Sequence, residues 1–174
     1  MPKILKKKTV KAQSLTHRFT VNRSPKEVFD AINNVRGWWS GEIEGETDKL
    51  GDVWTYRYKT FHRSQQKITK LVPGKQVVWL VTDGYLSFVD DQTEWNGTKI
   101  IFDIKKKKGE TEVVFTHQGL TSDDQCFNDC NNAWGSYIKG SLKNLMMRGK
   151  GQPNAQEKKA SKGARTRSKA LKVG

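Results

Sequence analysis

Cysteine is scarce, with two in 174 residues. Two thiols are too few for the disulfide framework that holds small secreted domains together. Long apolar runs are missing too: nothing approaches the roughly 18 consecutive apolar residues of a membrane span. The charged start Lys6-Lys7-Lys8 is not followed by the apolar stretch of a secretory signal. The expected compartment is therefore cytoplasmic. No Gly-rich phosphate loop and no G-x-S-x-G elbow occurs, so the common nucleotide-binding and serine-hydrolase signatures are absent.

Negative charge is almost missing from both ends. Residues 1–13 hold five Lys and no acid, and residues 149–174 hold eight Lys and Arg against Glu157 alone. The stretch 14–148 keeps 19 basic and 17 acidic residues, so most of the formal net charge of +14 sits in the ends. Aromatics avoid the same ends: all 17 lie between Phe19 and Tyr137. Such segments bury too little surface to offset their ordering entropy. The expected organisation is a basic flexible arm (1–13), a folded domain (14–148) and a basic, disordered or loosely helical tail (149–174). The ends would attract phosphates in a salt-dependent, sequence-blind way. They lack the aromatics that stack bases, so weak non-specific nucleic-acid binding is the most they imply, and solubilisation is the plainer reading.

Within 14–148 the periodicity changes twice. Leu15 to Val21 reads as a strand. Ser24-Pro25-Lys26-Glu27 is a capping box with Pro at the first helical position, and Val28, Ala31, Ile32 and Val35 follow at helical spacing. Trp38-Trp39 stands in a Gly-bounded segment, either plugging the core edge or forming a lid. Glu42, Glu44, Glu46 and Asp48 alternate like a solvated edge strand. Val53–Phe61, Gln66–Val72, Gln76–Thr82, Thr98–Ile104 and Thr111–His117 read as strands, and Asp83-Gly84 predicts a hairpin turn into Tyr85–Val89. From Ser122-Asp123-Asp124-Gln125 the period returns to 3.6. Cys126, Phe127, Cys130, Trp134, Tyr137, Ile138, Leu142, Leu145 and Met146 then form one stripe, ending at Arg148-Gly149. A long amphipathic helix after a meander of strands packs across the sheet, giving an α+β fold.

The series 24–32 (Ser-Pro-Lys-Glu-Val-Phe-Asp-Ala-Ile), Trp38-Trp39, 51–56 (Gly-Asp-Val-Trp-Thr-Tyr), 68–75 (Ile-Thr-Lys-Leu-Val-Pro-Gly-Lys), 97–100 (Gly-Thr-Lys-Ile), 111–119 (Thr-Glu-Val-Val-Phe-Thr-His-Gln-Gly) and 134–137 (Trp-Gly-Ser-Tyr) resembles the helix-grip, START-like (SRPBCC) superfamily. Within it, the series is similar to the branch named after the activator of the 90-kDa heat-shock protein ATPase. The resemblance implies a curved antiparallel sheet wrapped around a long C-terminal helix, with two short helices after the first strand. Asp52 departs from the two adjacent glycines usual in that family.

Relatives of this fold bind apolar small molecules, catalyse cyclisations or act as co-chaperone modules, and fold alone does not choose among them. The first expectation is a non-enzymatic domain with an apolar pocket between sheet and helix. Its walls would be Trp54, Tyr56, Trp79, Phe102, Val113, Phe115, Trp134 and Ile138, with Tyr58 and His117 as polar contacts. The second is a protein-interaction module with a chaperone or other protein partner, implied by the resemblance. The third is a cyclase or aromatase-like enzyme using His117 as acid/base, against which stands the plainer reading of a locally hydrogen-bonded strand histidine. Cys126 and Cys130 lack the spacing and neighbours of a zinc site and read as core. No metal, cofactor or catalytic residue is assigned.

Overall fold

The computed structural model describes residues 13–154. β1 (Ser14–Val21) is followed by α1 (Pro25–Asn33) and α2 (Val35–Trp38). Five strands come next: β2 (Val53–Tyr58), β3 (His62–Val72), β4 (Gln76–Leu86), β5 (Lys99–Lys107) and β6 (Glu110–Thr121). They form one antiparallel sheet in the order β1-β6-β5-β4-β3-β2. The C-terminal helix consists of α3 (Phe127–Gly135), a π-helical stretch (Ser136–Leu142) and α4 (Lys143–Arg148), with helical dihedrals across both junctions. This is the expected helix-grip α+β fold.

α1 begins as its sequence dictates. Ser24 Oγ accepts from the Glu27 backbone N–H at 3.1 Å, and the Ser24 N–H donates to Glu27 Oε2 at 2.9 Å. Val28 and Ile32 are buried on the helix's inner face. α2 is a single turn whose purpose is to deliver Trp38 and Trp39 inward; both are buried.

The C-terminal helix is wound as a π-helix in its middle for a reason visible in spacing. Cys130, Trp134, Ile138, Leu142 and Met146 are all buried and stand strictly four apart. On an α-helix each such step overshoots a full turn by about 40°, so five residues would spiral off the sheet-facing side. A wider turn in the middle takes up the drift.

Four expectations are corrected. Asp83-Gly84 is not a hairpin turn: β4 runs straight through it, with Asp83 opposite Gln65 and Gly84 opposite Ser64. Gly84 is there for space, because a Cβ would lie 3.1 Å from Trp95 Cβ. The row Glu42 to Asp48 forms no strand beyond one isolated bridge, Glu44 to Thr55. Its carbonyls are taken instead by Arg36, whose guanidinium donates to Ile43 O at 2.9 Å and Gly45 O at 2.6 Å. The helix starts at Phe127 and not at Ser122. Glu94, from the β4–β5 connection, caps it by accepting from the N–H groups of Gln125 (2.7 Å) and Cys126 (3.1 Å). Finally, residues 149–154 dock on the body. Gln152 N–H donates to Ser141 Oγ at 2.7 Å and Asn154 N–H to Trp39 O at 2.8 Å. Gly151 is buried so closely that a Cβ would collide with the carbonyl oxygens of Gly37 and Ser141. The arm at 1–13 (apart from Gln13) and the tail from 155 lie outside the described residues.

Asp52 explains itself. Its carboxylate accepts from the N–H groups of Asp48 (3.2 Å) and Lys49 (2.9 Å), while its own N–H donates to Lys49 O at 3.0 Å, so side chain and backbone close the turn together.

Candidate functional site

The strands put their alternate residues toward the helix, and the result is an aromatic interior. Trp54 and Tyr56 come from β2, Trp79 from β4, Phe102 from β5, Phe115 and His117 from β6, and Trp134 from α3; each is buried. Val113 and Ile138 are fully buried in the same cluster. The residues expected as pocket walls are therefore brought together, and Tyr58, expected as a polar contact, packs against the cluster from its margin. It is half-buried at the end of β2, with its ring 5.9 Å from the exposed Phe61.

The walls touch one another. Trp39 enters from α2 and stands in the middle: its ring lies 4.6 Å from Tyr56, 4.9 Å from Trp134, 5.5 Å from Trp54 and 6.3 Å from Trp79. Trp38 stacks on Trp79 at 6.3 Å and meets Phe102 edge-on at 6.0 Å. The Trp38-Trp39 pair is thus the plug of the two alternatives. It is anchored by Trp38 Nε1–H donating to Ile32 O (3.1 Å) and by Ser141 Oγ–H donating to Trp38 O (2.7 Å). Aromatic pairs in these geometries add to simple burial.

His117 is fully engaged. The Trp134 indole N–H donates to Nδ1 at 3.2 Å, which leaves the ring proton on Nε2. Nε2–H then donates to Thr98 Oγ1 at 2.8 Å, whose own proton goes to Trp95 O at 2.6 Å. Burial, and secondarily the charge of His62, holds the imidazole down to about 3. It is a neutral ring with both nitrogens occupied, a poor acid/base for any substrate.

His62 differs. Its ring meets Trp95 at 4.7 Å and Tyr56 at 5.0 Å, while its buried Nε2 has no partner among the described residues. Desolvation alone lowers it to about 3. Buried Trp54 Nε1, Trp79 Nε1 and Gln66 Oε1 are likewise unpartnered there. His17 bonds the Asn131 carbonyl at 3.1 Å, tying β1 to α3. Burial and then Lys139 lower its affinity for a proton. Cys126 and Cys130 are buried free thiols, and the hydrogen bond between them pushes the Cys126 thiol up. Among the described residues no three His, Cys, Asp or Glu converge on a metal position, and no helix is long and apolar enough to cross a membrane.

Sequence reasoning did not place Trp95, Thr98 or His62 in this interior. Trp95 sits in an irregular connection just before Asn96-Gly97, where no periodicity assigns a face. Its only local signal is that a large aromatic next to a turn must find cover.

Comparison with known proteins agrees with this geometry. A solution structure of the Aha1 dimer from Colwellia psychrerythraea is 27% identical, with 80% of this chain and 99% of that chain covered and a TM-score of 0.64. The crystal structure of MLL2253 from Mesorhizobium loti shares the fold at 9% identity, over 78% and 96% of the two chains, with a TM-score of 0.62. The protein SSP2350 from Staphylococcus saprophyticus shares it at 16% identity, over 80% and 96%, with a TM-score of 0.60. No curated protein sequence matches. The family described as activator of Hsp90 ATPase homolog 1-like protein matches residues 22–147, nearly the whole folded body, and the chain belongs to that family.

Proposed function

We propose that this chain is a non-enzymatic protein-interaction module of the heat-shock ATPase activator type. One observation carries the reading: Trp39 stands where a substrate would have to sit, in ring contact with Tyr56, Trp54, Trp79 and Trp134. The locked His117 removes the best acid/base from the same space. The family's description supports a 90-kDa heat-shock protein as the class of partner in this reading. The full chain, added to that ATPase, is expected to raise its rate of ATP hydrolysis. An unchanged rate, with no complex by sedimentation, would sink the reading.

A second reading, a small-molecule binder, is favoured by the unpartnered Trp54 Nε1, Trp79 Nε1 and Gln66 Oε1. Buried donors and acceptors without partners are costly, and a polar guest would satisfy them. Val113→Phe separates the two. In a filled interior it overpacks and costs about 1–3 kcal/mol. In a roomy one it is tolerated and blocks an environment-sensitive apolar dye. Native mass spectrometry showing a co-purified small molecule would favour this second reading.

A further inference from the structure

Outside the aromatic interior, one surface has a built shape of its own. A groove of about 810 Å³ opens between the start of α1, the β3–β4 turn and the end of β5. Its apolar floor is Pro25, Phe29, Pro73 and Ile104. Both walls are held in place. On one side the Ser24–Glu27 capping box fixes the chain entering α1. On the other, the turn is closed by Lys75 N–H to Val72 O at 2.9 Å and tied to β5 by Ile104 N–H to Lys75 O at 2.9 Å. The two sides approach each other closely, since a Cβ on Gly74 would touch the Pro25 ring at 3.6 Å.

The rim is cationic. Lys26, Lys75 and Lys106 border the groove against a single acid, Asp30. Lys26 is already paired with Asp30 at 2.9 Å. Lys75 and Lys106 have no acidic partner among the described residues. Ile104 and Lys106 share one face of β5, so the charge stands directly beside the floor. Exposed Lys105 and Lys108 extend the positive field beyond the groove.

We infer that this groove receives a segment of a partner protein that is acidic and anchored by an apolar side chain. The inference rests on the interaction-module reading and adds the place of contact and the partner's chemistry. Unpaired ammonium groups beside an apolar floor complement carboxylates flanking an apolar residue, and such complementarity sets specificity and encounter rate. A nucleic acid fits less well: the floor offers one aromatic, Phe29, and no stacking platform.

The test uses the full chain and a fluorescein-labelled synthetic peptide of Asp and Glu residues carrying two Leu, followed by anisotropy at about 0.1 M salt, where exposed charges more than a Debye length apart are largely screened. Lys75→Glu/Lys106→Glu is expected to weaken binding at least about tenfold, as is replacing both Leu by Ser; tenfold corresponds to about 1.4 kcal/mol. Lys67→Glu/Lys99→Glu, the same charge change elsewhere on the sheet, is expected to change binding less than about twofold. Equal loss in both charge pairs, or indifference to the Leu residues, overturns the groove in favour of diffuse attraction to a basic chain. An oligo-dT that displaces the peptide only when Lys75 and Lys106 are intact assigns the rim to nucleic acid and overturns it as well. Lys75→Gln/Lys106→Gln serves if the reversed pair melts early. Peptide binding through the groove without any effect on the heat-shock ATPase would fell the chaperone reading alone. ATPase stimulation indifferent to Lys75 and Lys106, with no peptide bound, would fell the groove alone.

Discussion

The aromatic interior and the lysine-rimmed groove are both lined by apolar side chains and both draw on β5, yet they are finished in opposite ways. In the interior every ring meets another ring, and α2 exists to push two more indoles between sheet and helix. At the groove, Pro25, Phe29 and Pro73 meet no such insert, and lysines without counter-charges border the opening. One region spends its apolar surface on cohesion; the other leaves it facing outward. Density of contact, and not hydrophobicity, separates a core from a docking surface.

The comparison can be pushed hardest at Trp39. Trp39→Ala should cost about 3–5 kcal/mol of unfolding free energy in urea, because it removes the ring that five others contact. A loss under about 1 kcal/mol would mean the interior is looser than its geometry. Next comes His117→Leu, expected to cost about 1–3 kcal/mol, since it strands the Trp134 indole donor in a dry site. Combining it with Trp134→Phe should recover part of that loss; strict additivity in the double-mutant cycle would deny the hydrogen bond any role.

Acid sharpens the contrast between the two histidines. Both have folded-state values near 3, below the unfolded value of 6.5. The unfolded chain therefore binds more protons, and the stabilisation, complete above about pH 6.5, is lost as pH falls toward 3. The slope is on the order of 1.4 kcal/mol per pH unit per histidine. His62→Phe should flatten it by about one such increment while leaving stability at pH 7 nearly unchanged, because His62 Nε2 has no bond to lose. An unaltered slope would show that His62 is already hydrated.

Truncation tests where the interior ends. A chain ending at 148 loses the strap that bonds Ser141 and Trp39, and should lose about 1–2 kcal/mol. A chain ending at 154 should match the full chain within about 0.5 kcal/mol in guanidinium titration. The smallest effect belongs to the groove: Lys75→Glu/Lys106→Glu should shift stability by less than about 0.5 kcal/mol, as exposed substitutions do. A larger loss would make those lysines part of the scaffold.

Much of this was readable from residue order. The capping box at Ser24, the alternation Trp54-Tyr56 and the stripe from Cys130 to Met146 each carry a periodicity that only one kind of element satisfies. What escaped reading depends on distant partners. Asp83-Gly84 has the composition of a turn, but Trp95 lies over Gly84, and that contact links residues with no local pattern in common. Glu94 caps a distant helix through Gln125, 31 residues downstream of it, so Ser122-Asp123-Asp124 looked like the start when it is a preceding turn. The aromatic positions named from alternation do come together between sheet and helix; whether rings face space or one another is a matter of volume, which order along the chain does not encode.

The π-helical stretch at Ser136–Leu142 stores one residue more than α winding would hold over the same rotation. Deletion of one residue such as Gly140, around which a side chain would meet open space, would therefore let the stretch relax to α winding with Leu142 and Met146 still facing the sheet. A second deletion has no such slack: each residue removed from an α-helix turns everything after it by about 100°. Leu142 and Met146 would then leave the sheet, and the tie from Ser141 to Trp38 and the returning strap would be broken. Descendants of this chain should therefore tolerate the loss of one residue along 136–142 but not of two.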